Sequence, residues 1–447
     1  MSVNKLSTEE SYKSLDKIET DLLRPMTHHK GFELWILFLI LIFIVGGYAY
    51  FIQLRDGLGV TAMRDYSSWG MYIGNFVFFV AASLIGMFIS SVLGLLKIKW
   101  ITPITRIAEM IALAFAMWAG IVIVIDMGRP DRLLNVFLHG RFQSPILWDV
   151  TVVSTYVAIS LLLLLLPLIP DAAIIRRRLP NLPKWQMKIY DLLYLGWEAR
   201  PEQYRIIKKA MRILAILIIP VALAIHTVTS WLFAATLRAG WDSAIFGPYF
   251  VSGAFVAGVA AVIIAMYFFR YNYKLSDYIT DFHFNRMGQV LVLVSAIYIY
   301  FNLNEYFVPA YKMRTAEKLH LDEMFTGHWA ILYWFTQIAC LAIPSFLLIF
   351  KRMRRPFTML WLSVLVLIGA WLKRFLIVVP VQQHPYLPIQ NVPESFHHYI
   401  PTGIEITLTI LPFAGVLLII TIIAKLFPVI SVWEIAHEKG VDESIIK

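Results

Sequence analysis

Ile125-Asp126-Met127-Gly128-Arg129-Pro130-Asp131-Arg132, followed by His139-Gly140-Arg141-Phe142-Gln143-Ser144-Pro145-Ile146-Leu147-Trp148-Asp149, encloses one polar turn between two apolar runs, Pro103–Ile125 and Ile146–Ile169. Each run has the roughly twenty apolar residues that a spanning helix needs. Neither shows the alternation of a closed barrel, and lipid offers no partner to unpaired amides, so both are read as helices. Working outward, the same pattern recurs at Glu33–Leu54, Trp69–Leu96, Ala210–Ala235, Tyr249–Tyr271, Met287–Phe307, His328–Phe350, Phe357–Ile377 and Thr402–Phe427. The expectation is an all-α polytopic membrane protein of about ten transmembrane helices in two helical bundles. A polar tail (1–32) precedes the membrane domain (33–427), and a second tail (428–447) follows it.

Composition agrees. Of 447 residues, 59% are hydrophobic and 15% charged, where soluble domains carry about a quarter charged residues. The single cysteine, Cys340, excludes a disulfide framework and argues against an iron–sulfur cluster held by this chain alone. A membrane b-type haem needs paired histidines on facing helices, yet only His226 lies well inside a run, and no CxxCH occurs. The expectation is therefore no haem, no iron–sulfur cluster and no metal in this chain. No basic domain supports nucleic-acid binding. The polar first thirty residues do not read as a cleavable signal.

The net charge of +10 is read as basic loops on one side. With ten spans, the N-terminal tail (Lys5, Lys13, Lys17, Arg24, Lys30), the turn with Lys97 and Lys99, the Asp171–Lys209 segment and the Lys351–Arg355 turn fall on one face with both termini. That face is expected to be cytoplasmic, and the Asp126–Asp149 turn to face outward. Tyr12–Leu23 reads as a weakly amphipathic helix ended by Arg24-Pro25. The segment Pro380–Pro401, with five prolines and three histidines, reads as an ordered lid or docking surface.

Ionisable groups at the edge of hydrocarbon are costly, so the turn is a candidate functional site. Gly128 lets the backbone turn after the helix and Pro130 stops it. Arg129 and Arg132 could then pair with Asp126 and Asp131 in a self-satisfied knot. Histidine side chains exchange protons near neutral pH, so His139 could bond a quinone carbonyl or take a quinol proton; a plain loop histidine fits the spacing as well. Ser144 and Pro145 suit the start of a helix, with Asp149 in its first turn or over a cavity mouth as a proton acceptor. Trp69, Tyr72 and Asn75 line either an interfacial belt or a slot for a flat ring. Glu109, His226 and Glu405 lie inside the runs. They either bond neighbouring helices or relay protons, and Asp171, just past the end of the fourth run, is either the exit of such a path or a helix-end residue in contact with water.

Several of these stretches resemble the NrfD/PsrC family. The resemblance rests on Asp126-Met127-Gly128-Arg129-Pro130-Asp131-Arg132, Ser144-Pro145-Ile146-Leu147-Trp148-Asp149-Val150 and Ser68-Trp69-Gly70-Met71-Tyr72-Ile73-Gly74-Asn75-Phe76-Val77-Phe78. It also rests on His226-Thr227-Val228-Thr229-Ser230-Trp231, Gly247-Pro248-Tyr249-Phe250-Val251 and Arg374-Phe375-Leu376-Ile377-Val378-Val379-Pro380. It implies a membrane subunit without redox cofactor of its own that binds quinone or menaquinone near the outer face. The implied partners are an iron–sulfur subunit on that face and a molybdopterin-type or multihaem cytochrome subunit. The ten spans also resemble the paired membrane subunits of alternative complex III, which implies a second NrfD-like subunit. Leu232 after Ser230-Trp231 and Lys373 before Arg374 depart from the acids common there, which weakens the case for proton translocation through the second bundle.

The function expected is a quinone site of a respiratory oxidoreductase. His139 and Asp149 would be its proton-handling pair, Trp69, Tyr72, Asn75, Asp126, Arg129 and Arg141 would surround the quinone, and Glu109, Asp171, His226 and Glu405 would carry protons. A secondary transporter with broken helices and a purely structural anchor are the alternatives.

Overall fold

The computed structural model describes residues 8–27, 31–236, 238–385 and 389–441. Lys5, Lys30 and Pro388 lie outside them. Helix α1 (Thr8–Thr27) is followed by α2 (Phe32–Asp56), α3 (Met71–Leu95), α4 (Thr102–Asp126), the single turn α5 (Asn135–Leu138) and α6 (Pro145–Leu165). Then come α7 (Leu168–Arg178), α8 (Lys184–Leu193), α9 (Pro201–Ala234), α10 (Phe246–Asn272), α11 (Asp281–Lys312) and α12 (Thr315–Phe325). An eighth span is assembled from α13 (Ala330–Trp334), a π-helical segment (Phe335–Ala342) and α14 (Ile343–Leu347). The chain closes with α15 (Pro356–Gln382), α16 (Gly403–Leu426) and α17 (Val432–Glu438). Ten of these segments are long and apolar enough to cross a membrane, and they coincide with the ten runs read from the sequence.

Helix α3 is the hub and is buried nearly all round. It packs on α4, α9, α10 and α15. Small residues permit this: a Cβ on Gly86 would sit 2.0 Å from the Ala108 carbonyl oxygen, so α3 and α4 touch backbone to backbone. In lipid, where apolar burial drives little, such close van der Waals contact is what holds helices together. Helices α3, α4, α6 and α9 form one group, with α2 and α16 laid against it. Helix α10 ties this group to α11, α15 and the eighth span.

The first and last described helices lie at one end of the bundle, where α1 contacts α16 and α17. We call this the termini end and the opposite one the turn end. The N-terminal helix is longer than the sequence suggests, running through Pro25 to Thr27. It buries Leu15, Ile18, Leu22 and Met26, and Glu19 is gripped by both Arg177 and Arg178. Helix α9 likewise begins nine residues before the predicted apolar run, because its first turns carry charge at the surface.

Candidate functional site

At the turn end, α4 finishes at Asp126 and Gly128 turns the chain with φ +65°. This throws Arg129 outward, where it pairs with Asp131 at 2.9 Å with both side chains largely exposed. The guanidinium holds Asp131 below the usual carboxylate range. The expected knot therefore closes without Asp126, whose shielded Oδ1 has no hydrogen-bond partner.

Around Asp126 the ends of four helices converge. Tyr72 Oη on α3 donates to Gln53 Oε1 on α2 at 2.7 Å, and Gln53 Nε2 donates to the Ile125 carbonyl at 2.7 Å. Glu405 on α16 lies within electrostatic reach of both Tyr72 and Asp126. Its carboxylate accepts from Ala62 N (2.8 Å), Thr402 N (2.9 Å) and Tyr399 Oη (2.5 Å). Tyr399 in turn accepts from Met71 N at 2.8 Å. Burial, with Glu405 beside it, pushes the Tyr399 hydroxyl well above the ordinary tyrosine range, so it serves as a donor. One turn deeper, Asn75 bridges Thr409 on α16 and Trp371 on α15, each at 2.8 Å.

The described part of the proline-rich segment, residues 389–401, packs on this end. Tyr66 packs on His397 with ring centroids 4.5 Å apart, and Arg64 lies over Phe396 at 5.1 Å. Trp69 stands on the other side of α3, against Phe233 and Trp241. Gln382 clamps its backbone from α15, donating to Trp69 O at 2.6 Å and accepting from Trp69 N at 2.9 Å.

Asp149 is not in the first turn of α6 as read from the sequence but one turn further in, and it is buried. It accepts from Thr229 Oγ1 of α9 at 2.5 Å. Ser144 holds the cap position without a side-chain cap bond. His139 and Arg141 are exposed on the loop beyond α5, whose backbone folds back so that Trp148 Nε1 meets the Phe142 carbonyl. The structure thus brings together Tyr72, Asn75, Asp126 and Glu405, sets Asp149 between α6 and α9, and leaves His139, Arg129 and Arg141 at the surface.

The remaining proton-path candidates lie elsewhere. Glu109 and Asp171 are at the termini end. Asp171 is fully buried and receives Arg106 Nη1 at 2.5 Å and Trp433 N at 3.2 Å. The buried His226 is held by its Nδ1 against the Ala222 carbonyl at 3.1 Å. Among the described residues, the partners of Asp171, His226 and Glu405 are local to each and do not join these groups into one chain.

A second buried polar group lies in α10, α11 and α15: Tyr249, Tyr298, Asn302, Glu305, Lys373 and Arg374; the sequence marked Tyr249, Lys373 and Arg374 only through the family resemblance and passed over Tyr298, Asn302 and Glu305. The signal was available, since Glu305, Lys373 and Arg374 fall inside or beside apolar runs.

Against known proteins, the family model described as polysulphide reductase, NrfD, matches residues 59–385. A subunit of the selenate reductase of Mesobacillus selenatarsenatis is 24% identical over 91% of this chain and 96% of its own. The menaquinone reductase integral membrane subunit of Nitratidesulfovibrio vulgaris is 23% identical over 89% of this chain and 92% of its own. A putative dimethyl sulfoxide reductase membrane subunit of Halobacterium salinarum is 29% identical over 66% of this chain and 62% of its own. Match and architecture agree, and the chain belongs to the NrfD family of integral membrane subunits.

Proposed function

We propose that this chain supplies the quinone site of a membrane-bound oxidoreductase complex. It would exchange electrons with an iron–sulfur partner docked at the turn end. That partner would connect to a molybdopterin-type or multihaem subunit, and a second NrfD-like subunit would stand beside this chain in the membrane. One relative in the family is a menaquinone reductase subunit by name, and menaquinone is the substrate we favour. The turn end then faces outward, since the basic segments gather at the opposite end.

The carrying observation is Asp126: a shielded carboxyl oxygen without a partner, at the meeting point of α2, α3, α4 and α16. Buried polar atoms are rarely left unpaired, and a hydroxyl of a flat, neutral ring is a suitable partner. Tyr72 and Asn75 are buried polar groups of the kind that orient such a ring in an apolar site. Asp126 takes the hydroxyl proton as electrons leave. Asp149 and the exposed His139 offer routes for that proton to water at the same end. Reversing the arrows gives quinone reduction.

The test is menaquinol-dependent turnover of the assembled complex with Asp126→Asn or Tyr72→Phe. Removing a general base costs about 10²–10⁴-fold, so Asp126→Asn lowers kcat at least a hundredfold with subunit content unchanged. Tyr72→Phe raises KM more than it lowers kcat. Normal turnover in both variants removes this site.

A further inference from the structure

Around the space between α10, α11, α15 and the π-helical segment, two buried cations face one buried carboxylate, Glu305. Arg374 is 2% exposed and Lys373 is 3% exposed. Lys373 donates to Tyr306 and lies over the Tyr306 and Tyr333 rings at 4.7 and 5.4 Å, with Glu305 as the carboxylate in its electrostatic reach. Among the described residues, Arg374 has no carboxylate at ion-pair distance. Its guanidinium lies over the Phe250 ring at 4.7 Å and Nη2 reaches the Phe250 carbonyl at 3.4 Å. Nη1 has no acceptor. Room is left for the group: a Cβ on Gly253 would sit 2.7 Å from Arg374 Nη2. Arginine does not lose its proton in a protein, so this charge cannot be relieved by deprotonation.

Both cations line a cavity of about 20 Å³ together with Tyr298, Thr336, Gln337 and Cys340. Gln337 is presented by the π-helical segment Phe335–Ala342, a rare geometry often found where a side chain has been re-aimed for function. A directed chain of bonds fixes its amide. Tyr249 Oη donates to Asn302 Oδ1 at 3.0 Å, and Asn302 Nδ2 donates to Gln337 Oε1 at 2.7 Å. Gln337 Nε2 is then left as a shielded donor without an acceptor. Two unsatisfied donors thus border one small space in surroundings that carry uncompensated positive charge. A water molecule would accept one or both bonds but would leave the charge unbalanced, which is costly inside a membrane. An anion satisfies both.

We propose that the cavity between α10, α11, α15 and the π-helical segment binds a small monovalent anion of halide size, held by Arg374 Nη1 and Gln337 Nε2. The site is separate from the quinone pocket and does not depend on that assignment.

The test uses the assembled complex in mild detergent, exchanged into gluconate at constant ionic strength. Chloride or bromide raises the thermal unfolding midpoint saturably, as any ligand of the folded state does. Crystals of the complex grown in bromide show an anomalous peak in the cavity. Gln337→Leu removes a charge-assisted bond and raises half-saturating chloride about tenfold. Gln337→Glu carries its own counter-ion: its midpoint in gluconate rises above wild type and no longer responds to chloride. Equal wild-type midpoints in chloride and gluconate, or a cavity without bromide, overturn the proposal.

Discussion

At the residue scale, the buried charges divide by whether each has a partner. Arg106 and Asp171 satisfy one another at the termini end, and Arg106 also donates to the carbonyls of Pro428 (3.1 Å) and Pro167 (3.2 Å). Removing one member of such a pair leaves the other charged in an apolar place, at a cost of about 3–5 kcal/mol. Arg106→Ala is expected to lower the thermal midpoint and the yield of complex sharply, while Asp171→Asn, which keeps a hydrogen-bonding side chain, costs less. Melting of the purified variants ranks them. Sequence alone marked Asp171 as a path exit or a helix-end residue in water; its partner lies 65 positions away, and no local pattern reports such pairing. Asp126 is the opposite case. Its position in the turn was legible, but the sequence paired it with an arginine, because it cannot show that Gly128 sends Arg129 outward.

At the element scale, the ten spans were legible because hydrocarbon imposes length and apolarity on each helix independently. What surrounds the spans was not. Helix α1 and helix α17 are amphipathic or polar, and their docking depends on contacts with distant segments. Glu434 on α17 shows the consequence. Burial raises its carboxyl to about 7, with Asp171 and Glu438 adding to the rise and Arg106 opposing it; Glu109 also lies close. A carboxyl raised in the folded state binds its proton more tightly there than in the unfolded chain, so stability is greatest at low pH and falls as pH rises from about 4.5 to about 7. The hold on α17 should therefore weaken across that window, read as faster hydrogen exchange of residues 432–438. Glu434→Gln should flatten the dependence. Helix α1 is held by Glu19 between two arginines. Glu19→Ala should expose the N-terminal segment to limited proteolysis near Arg24 while leaving the spans protected.

At the scale of the whole molecule, the candidate site depends on which end of the bundle meets which compartment. The fold puts helices α1 and α17 at one end, but only the distribution of lysine and arginine says which face that is. The basic segment Arg176-Arg177-Arg178 and the Lys351–Arg355 turn gather at the termini end, while the Asp126–Asp149 turn at the opposite end carries three arginines balanced by three aspartates. Because loops rich in lysine and arginine stay on the cytoplasmic side, the turn end should face outward. Cys340 is the one cysteine of the chain and is buried, so introduced cysteines report alone. In intact cells, His139→Cys should react with a membrane-impermeant maleimide, because His139 is exposed at the turn end. Lys351→Cys, at the opposite end, should react only after the cells are opened. The reverse labelling would place the Asp126 site on the cytoplasmic face. An iron–sulfur partner would then have to dock on that side, and protons taken from a quinol would be released inside rather than outside.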